Sequence, residues 1–511
     1  MSEKKRLHPV TIISNALKFL REWLVPLLLL IIFGKRGEEA TSWDFFFSTI
    51  LPLLILVFTI VEGVFSWWRF SYRLEEGELR IEQGVFLRKK RYIPFERIQS
   101  ISISQGIVQR IFGLVKLNVE TAGGGLGETE AELTAITREE AKRIENIINL
   151  TKKGILEENE ASSSGLTAEE QVQEEEKKPN IIFSMDLREV FLVALTNGGT
   201  IGVILGALAF FSEFDELFSL SQFYDEARAL FTQGILFIAL FVVFIILLAY
   251  VIAIIQSVLK FSNFRVEIDG EHLIVSHGVL ERKKTSIPIK RIQGITIQEN
   301  FIRSIFGYST VYIINAGGTS VEGVDGRIVL LPFIKKERIS RIIKKVLPDY
   351  ELDVLFTPVP ERAKLYYCLR SVFSFKIFAL IALALYFFYP WGLLSFLLIP
   401  LAIVLGIVQY KFAGWNLSGK QLALRSRFLT KRTIYMFHHR IQSLEVSRSW
   451  WQRRRNLASV SGTVMSGFIG ETGRTVDMDE EDAKQIYHWF SRTKRDRDAD
   501  SEEVSKRVAP F

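Results

Sequence analysis

The stretch IPFERIQS at residues 93–100 returns as IPIKRIQG at 287–294 and as MFHHRIQS at 436–443. The triplet Arg-Ile-Gln is common to all three copies. Thirteen residues beyond each central Ile lie the segments Ile111-Phe112-Gly113, Ile305-Phe306-Gly307 and Arg454-Arg455-Asn456. Matching offsets in three separate blocks indicate an internal repeat.

Each block is predicted to form a small β-rich domain closed by one helix. Leu79–Ile81 and Ile101–Ile103 alternate apolar and polar residues, which is typical of half-buried strands. Gly77 and Gly84 mark turns between them. Each block ends with apolar residues on one face of a helix: Ala141, Ile144, Ile147 and Ile148, then Ile339, Ile342, Ile343 and Val346, then Ala483, Ile486, Tyr487 and Phe490. Short strands followed by one amphipathic helix describe a pleckstrin-homology-like (PH-like) barrel.

Apolar segments precede each block in pairs. The 511 residues are 48% hydrophobic but 24% charged, which indicates that apolar blocks alternate with soluble blocks. Runs long enough to cross a bilayer are predicted at Ala16–Phe33, Phe45–Trp67, Val190–Phe211, Gly234–Leu259, Val372–Phe388 and Trp391–Gln409. Lys and Arg concentrate in the N-terminal tail and the soluble blocks, and the net charge is +7. The positive-inside bias therefore predicts that both termini and all three blocks are cytoplasmic.

The chain resembles the bacterial PH-domain membrane proteins, in their three-copy form. The resemblance rests on the Pro-x-x-Arg-Ile-Gln element, on the later Phe-Gly and Ala-Gly-Gly, and on the preceding helix pair. It implies a membrane-anchored module that faces the cytoplasm, and it brings no established reaction. The third copy departs from the pattern, because it lacks both the Pro and the Phe-Gly.

The predicted fold class is therefore a membrane protein of the α+β type, with six transmembrane helices in three hairpins and a PH-like barrel after each hairpin. The expected order is a helix pair at 1–69, a PH-like domain at 70–153, an acidic disordered linker at 154–180, a helix pair at 181–260, a second domain at 261–350, a third pair with its linker at 351–410, a third domain at 411–490 and a disordered tail at 491–511.

A basic segment lies ten residues before the central Ile of every copy. Its members are Arg88, Lys89 and Lys90, then Arg282, Lys283 and Lys284, then Lys431 and Arg432. A basic loop of a tethered domain could bind the anionic inner leaflet, where each Lys or Arg contributes about 1 kcal/mol. An ordinary solvated hairpin that obeys the positive-inside bias explains the same pattern equally well.

The third block adds a pair of tryptophans beside a run of arginines, Trp450-Trp451-Gln452-Arg453-Arg454-Arg455. Aromatic rings and cations both suit the headgroup region of a membrane. A Trp pair in the domain core with Arg453, Arg454 and Arg455 in solvent is the alternative. Nucleic-acid binding is a weaker interpretation, since lipid is the nearer polyanion for a membrane-tethered domain.

The repeated motif itself is interpreted as structural rather than as a binding site, because every copy contains it. Its residues are Arg97, Gln99, Gly113, Arg291, Gln293, Gly307, Arg440 and Gln442. Gly198, Gly202 and Gly206 recur at four-residue spacing and predict close helix packing.

No catalytic constellation, metal site or cofactor site is predicted. Gly123–Gly127 lacks the Gly-Lys-Ser/Thr of a phosphate loop, and His438 and His439 are adjacent rather than spaced as ligands. The sequence favours a non-catalytic scaffold that binds anionic lipid, a partner membrane protein of the same family, or a second copy. For such a scaffold we expect a role in envelope maintenance or defence. The alternative is a six-span transporter or channel, and the only feature in its favour is the polar run Thr196–Thr200.

Overall fold

The computed structural model describes residues 4–17, 46, 50–84, 87–121, 131–161, 180–196, 234–316, 327–373, 398–467 and 470–491. The chain divides into two compact units, and each is described by itself. The first contains Met1–Ala122 and Glu128–Ile287, and the second contains Gly123–Gly127 and Pro288–Phe511.

The first unit contains both helices and strands. In chain order they are α1 (residues 10–17), α2 (Leu51–Arg69), β1 (Ser71–Glu75), β2 (Glu78–Gln83), β3 (Lys89–Pro94), β4 (Ile98–Gln105), α3 (Ile107–Ile111), β5 (Leu114–Thr121), β6 (Ala131–Thr137), α4 (Arg138–Ala161), β7 (Asn180–Ser184), α5 (Leu187–Thr196), α6 (Gly234–Phe261), β8 (Arg265–Asp269), β9 (His272–His277) and β10 (Arg282–Pro288).

The second unit continues the same order of elements. They are β11 (Ile292–Glu299), α7 (Phe301–Ile305), β12 (Tyr308–Asn315), β13 (Arg327–Lys335), α8 (Lys336–Val346), β14 (Thr357–Pro358), α9 (residues 364–373), α10 (Leu398–Phe412), β15 (Gly414–Ser418), β16 (Gln421–Arg427), β17 (Lys431–Phe437), β18 (Ile441–Ser447), α11 (Trp450–Arg453), β19 (Leu457–Val464), β20 (Glu471–Asp479) and α12 (residues 480–491).

The first repeat shows how a barrel forms around a single core. Strands β1, β2 and β3 make one antiparallel sheet, and β4, β5 and β6 belong to another. Leu79, Ile98 and Leu117 from both sheets are fully buried together with Ile144 and Ile148 of α4. Burying a side chain of this size contributes about 1.5–3 kcal/mol, so the predicted apolar face of α4 closes the barrel. The chain is thus of the mixed α+β class, as predicted.

Each helix pair is inserted into its barrel rather than placed before it. In the second repeat β7 precedes the helices and β8 follows them, and the two strands pair antiparallel. Strands β14 and β15 pair in the same way around the third helix pair, and Lys5 bridges Tyr72 around the first. The predicted boundary at residue 181 therefore cuts β7 and needs correction. Strands as short as these carry no readable periodicity.

The predicted linker also begins too early. Helix α4 runs to Ala161, so residues 154–161 are helical rather than disordered. Glu and Leu, which occur in this stretch, are favourable helix formers, and the helix can therefore continue past its packed part.

One helix in the described part of the chain, α2, is long and apolar enough to cross a membrane, with a mean hydropathy of 1.9. Shorter apolar helices cover Ile246–Phe261 and Ile399–Phe412. Most of the predicted spans Ala16–Phe33, Val190–Phe211 and Val372–Phe388 lies outside the described residues, as do Gly198, Gly202 and Gly206. The number of six spans therefore stays a prediction.

The described ends of the helices in each pair are in contact. The Trp67 indole Nε1 donates to the carbonyl of Leu7, close to α1, at 2.8 Å. The Tyr250 hydroxyl on α6 donates to the carbonyl of Leu195 on α5 at 3.2 Å. A Cβ on Gly406 of α10 would lie 2.6 Å from the Cα of Cys368, so glycine lets α9 and α10 approach closely. The helices therefore form hairpins at the point where they meet the sheets.

Neighbouring repeats share sheets. One seven-stranded sheet has the order β6-β5-β4-β10-β9-β8-β7, and a second has the order β13-β12-β11-β17-β16-β15-β14. Strand β10 of the second repeat thus pairs antiparallel with β4 of the first, and β17 of the third repeat pairs with β11 of the second. We call these two pairings the first and the second junction.

Candidate functional site

Each repeat has two distinct ends. The strand that follows a helix pair runs away from the helices to a tight turn, at Glu76-Gly77, Gly270-Glu271 or Gly419-Lys420. The next strand returns to a hairpin beside the helices, where the amide of Val279 donates to the carbonyl of Leu259 at 3.1 Å. We call the end beside the helices the root end and the opposite end the corner end.

The predicted basic segments all lie at the root end, because each begins the strand that leaves that hairpin. Arg88, Lys89 and Lys90 are exposed, and the Arg88 Nη2 atom is 2.6 Å from Glu82 Oε2. In the second repeat Arg282 and Lys284 are exposed and Lys283 is half-buried. The geometry therefore leaves most of these cations accessible beside the helices.

The third basic segment has a different environment. Lys431 is only 5% exposed, and its Nζ lies 3.0 Å from Glu299 Oε1 across the second junction. Burial lowers the pKa of the Lys431 ammonium, and the Glu299 carboxylate opposes that shift. Arg432 contacts Glu471. These two residues hold strands together and are unsuited to binding lipid.

A short helix at the root end of each repeat carries large apolar side chains into solvent. These helices are α3, α7 and α11, and they occupy the same position in their repeats. The exposed apolar residues on them and on the adjacent hairpins are Ile107, Ile111, Phe112 and Leu280 in the first unit, and Phe301, Ile302, Ile305, Phe306, Phe428, Leu429, Trp450 and Trp451 in the second. We call these groups the apolar tips. Exposed clusters of this kind mark interaction or membrane-contact sites.

Hydrogen bonds hold the first and last tips against the first helix of their own pairs. Gln109 of α3 donates from Nε2 to the hydroxyl of Ser14 on α1 at 3.1 Å. At the equivalent position of α11, Gln452 donates to Asp477 Oδ1 at 2.5 Å, and Arg370 of α9 donates to the other oxygen of that carboxylate at 2.6 Å. Each short helix is therefore fixed beside the first helix of its own pair.

The tip of α7 is held from within its own barrel and by the next hairpin. Arg303, buried at the position equivalent to Gln109, donates to the carbonyl of Pro332 at 3.0 Å and also contacts Thr310. Burial lowers the pKa of this guanidinium. Thr430 of the adjacent hairpin contacts Asn300 at 3.2 Å, directly before α7. The buried polar residue leaves Phe301, Ile305 and Phe306 on the outer face.

The Trp pair of the third repeat is not in the core. Trp450 is 55% exposed and Trp451 is 61% exposed. The guanidinium of Arg454 stacks over the Trp450 ring, 3.7 Å from its centroid, and Arg453 and Arg455 are exposed beside it. Stacked rings and cations of this kind combine an apolar body with a charged rim. This tip has the composition of a membrane-interface contact.

The Arg-Ile-Gln motif lies at the corner end, away from the tips. In each copy the Arg ends a one-turn 3₁₀ helix, at Phe95–Arg97, Ile289–Arg291 and His438–Arg440. The Ile that follows is buried, and the Gln occupies an irregularity in strand register in all three copies. The Gln293 side chain donates to the Arg291 carbonyl at 3.0 Å. This geometry describes a bulged corner between two sheets.

The Arg and Gln side chains of the motif have different environments in the three copies. Arg440 Nη2 donates to the Lys290 carbonyl at 2.6 Å, while Gln442 is exposed in β18. Arg97 is exposed, and the side chain of Gln99 lies outside the described part of its strand. None of these residues comes near an apolar tip along its strand.

Gly113 and Gly307 end the short helices in a left-handed backbone conformation, with φ of +67° and +70°. The third repeat has Asn456 there, with φ of +51°. Asn tolerates this region better than other side chains, so the missing Phe-Gly does not change the turn. Phe437 likewise replaces Pro94 and Pro288 with a similar extended backbone.

With this geometry the class of protein is defined. Residues 27–152, 217–349 and 370–494 match the Bacterial PH domain family, so the chain belongs to that family and contains its domain three times. The resemblance noted in the sequence is thereby confirmed.

Two relatives from Bacillus subtilis (strain 168) place the chain more closely. It is 36% identical over 498 residues to the UPF0699 transmembrane protein YdbT, and the match covers 97% of this chain and 100% of that protein. It is 26% identical over 128 residues to the UPF0699 transmembrane protein YdbS, which covers 24% of this chain and 76% of that protein.

Sequence reasoning missed the apolar tips of the first two repeats. Ile111-Phe112 and Ile305-Phe306 served only to mark the repeat, although their position is equivalent to the Arg454-Arg455 that was considered for binding. The available signal was a pair of large apolar residues placed directly before a turn glycine, where a solvated loop would carry polar residues.

Proposed function

We propose that the chain is a non-catalytic, membrane-anchored scaffold whose apolar tips and root-end cations contact the headgroup region of the membrane that its helices enter. The observation that carries this proposal is the position of the tips: exposed apolar side chains beside the helices, held there by hydrogen bonds such as that between Gln109 and Ser14.

Membrane anchoring is supported by the apolar helices and by the relative that matches this chain over 97% of its length, which is named a transmembrane protein. Strands β7 and β8 pair with each other before and after the second helix pair, and β14 and β15 do so around the third. A helix pair whose two ends enter adjacent strands must leave and re-enter the membrane on one side. The positive-inside bias makes that side the cytoplasmic one.

Lipid contact at the tips follows from the balance of exposed groups. Apolar side chains such as Ile305 and Trp451 are stabilised when the interface covers them, and Trp is suited to the headgroup level. Arg453, Arg454 and Arg455 stand beside the Trp pair, and each cation near an anionic surface contributes about 1 kcal/mol. We therefore propose anionic lipid of the inner leaflet as the ligand. A scaffold of this kind could bind a partner membrane protein at the same time.

The test is the lipid that co-purifies with the full chain. Substituting Arg453, Arg454 and Arg455 with Gln should lower the share of anionic lipid retained by at least about tenfold, since three contributions of about 1 kcal/mol are removed. Mass spectrometry of lipids extracted from the detergent-purified chain measures that share.

The matched control removes three positive charges from the corner end: Arg97→Gln, Lys290→Gln and Lys420→Gln. This variant has the same net charge as the first, so a general charge effect would appear in both. The proposal predicts that the control retains anionic lipid like the unmodified chain. Equal losses in the two variants, or no loss in either, would contradict it.

A further inference from the structure

The two junctions use one register. In the first, Arg282 lies opposite Gln105 and Ser286 lies opposite Ile101. In the second, Lys431 lies opposite Glu299 and Tyr435 lies opposite Ile295. In both, the first residue of the incoming strand faces the last residue of the receiving strand. Neighbouring repeats of this chain therefore associate twice through the same strand pairing.

Two further strands, β3 and β18, occupy the positions of junction strands in their repeats. In the described part of the chain, neither pairs with a strand of another repeat. Strand β3 occupies the same place in its repeat as β10 and β17, yet among the described strands it pairs only with β2. Strand β18 occupies the same place as β4 and β11, yet its only partner in the described part of the chain is β19. Each presents a row of backbone N–H and C=O groups on one edge.

Side-chain burial records the missing partners. Tyr92 of β3 is 54% exposed, whereas Tyr435 at the equivalent position of β17 is 4% exposed. Along β18 nearly every residue after Ile441 is exposed or half-buried, whereas β11 is buried along almost its whole length. Applying the junction register to the open edges sets Tyr92 opposite Leu444, as Tyr435 is set opposite Ile295.

We propose that β3 of one copy of this chain adds to β18 of a second copy, in the register of the internal junctions. The interface is head-to-tail, so it joins copies into a closed ring or an open row. Basic residues on the incoming strand do not prevent this, because Arg282 and Lys431 occupy junction strands.

Charge at the proposed contact is accommodated by carboxylates already present. The register sets Arg88 opposite Arg448, a like-charged pair. Arg88 lies 2.6 Å from Glu82, however, and Arg448 lies 2.6 Å from Glu480, so each guanidinium has its own counter-ion. Glu445 is set opposite Arg91, an opposite-charged pair of the kind that stabilises adjacent strands.

The small size of a single strand pairing does not exclude assembly. Copies of this chain that are anchored in one membrane are confined to a thin layer, and this confinement raises their effective concentration. Main-chain hydrogen bonds then supply affinity, and alternate side chains such as Tyr92 and Leu444 supply register.

Oxidative cross-linking in native membranes tests the proposal. In a Cys368→Ser background, Tyr92→Cys together with Leu444→Cys should give disulfide-linked dimers and longer ladders on a denaturing gel. Each single variant should stay monomeric. The control pairs Tyr92→Cys with Glu445→Cys, which moves the thiol one residue along β18 and to the other face of the strand. Cross-linking should then be at least about fivefold weaker, because a disulfide requires Cα atoms about 4.4–6.8 Å apart and side chains that face each other.

The pair Ile101→Cys and Ser286→Cys reports on oxidation itself, because these residues face each other within one chain. The proposal is overturned if this internal pair oxidises while Tyr92/Leu444 cross-links no better than Tyr92/Glu445. It is also overturned if peptide mapping of the cross-linked product finds a different protein in place of a second copy.

Discussion

Strands β17 and β3 begin with basic residues at the same place in their repeats, and they have opposite environments. In β17, Lys431 is buried against Glu299 of a neighbouring repeat. Directly before β3, Arg88 has a side chain that is 63% exposed and contacts Glu82 of its own repeat. The difference comes from the neighbouring repeat: in the described part of the chain a neighbouring repeat supplies a strand to β17, and none is supplied to β3. A repeated sequence pattern thus marks a position in the fold, and the partner strand decides what that position does.

The largest test of this comparison is Lys431→Ala against Arg88→Ala. Removing Lys431 leaves the Glu299 carboxylate buried without its cation, which should cost about 3–5 kcal/mol of unfolding free energy. Removing Arg88 breaks an exposed ion pair and should change stability by less than about 1 kcal/mol. Thermal or denaturant unfolding of the detergent-solubilised variants measures both. Equal costs would show that Lys431 is not a junction residue.

A smaller effect should come from Gly294 in the receiving strand β11. A Cβ at this glycine would lie 2.9 Å from the Tyr435 carbonyl oxygen of β17 and 3.2 Å from Ile314 Cδ1. Gly294→Ala should therefore push the second junction apart and destabilise the chain by about 1–3 kcal/mol. The equivalent residue of β18, Ser443, is exposed, and Ser443→Ala should stay within about 0.5 kcal/mol. Unfolding of the two variants in parallel would show whether the junction is the cause.

The smallest effect concerns the pH dependence of Lys283→Gln at the first junction. Burial raises the pKa of the Glu120 carboxyl, while the Ser100 hydroxyl and the Lys283 cation oppose that shift. Because the folded-state pKa is raised, Glu120 lowers stability as pH rises from its ordinary pKa through the raised value. Losing Lys283 should deepen this loss at pH 7 by about 1 kcal/mol, on the order of the free energy that corresponds to one pKa unit.

Near pH 4 the same substitution should have little effect through Glu120, since the carboxyl is then largely protonated in both folded and unfolded chains. Lys89→Gln, at the equivalent exposed position of β3, should show no such pH dependence. Unfolding curves at pH 4 and pH 7 compare the two variants. A Lys283→Gln effect of the same size at both pH values would separate Lys283 from Glu120.

Local patterns in the sequence predicted the repeat and the elements within each barrel. Ile144, Ile148, Ile343 and Ile486, chosen from helical spacing, are all buried. Alternation likewise located β2 and β4. These features are visible because periodic apolar residues report directly on one buried face.

The pairings between repeats were not predictable from those patterns. Lys431 and Arg88 have similar local sequences, and only a strand far along the chain distinguishes them. The insertion of the helix pairs was missed for a related reason, since β14 has only two residues, Thr357 and Pro358. Contacts between distant segments leave no periodic signal, and short strands leave too little of one.

The central claim is that the root end of each repeat, with its apolar tip, meets the bilayer while the corner end does not. A fluorophore on Ile305→Cys and one on Lys420→Cys, each in a Cys368→Ser background, report on the two ends of the second unit. The full chain is reconstituted into bilayers that contain lipids with quencher-labelled acyl chains. Strong quenching at residue 305 with little at residue 420 is the expected result. Equal quenching at the two sites, or stronger quenching at residue 420, would contradict the account.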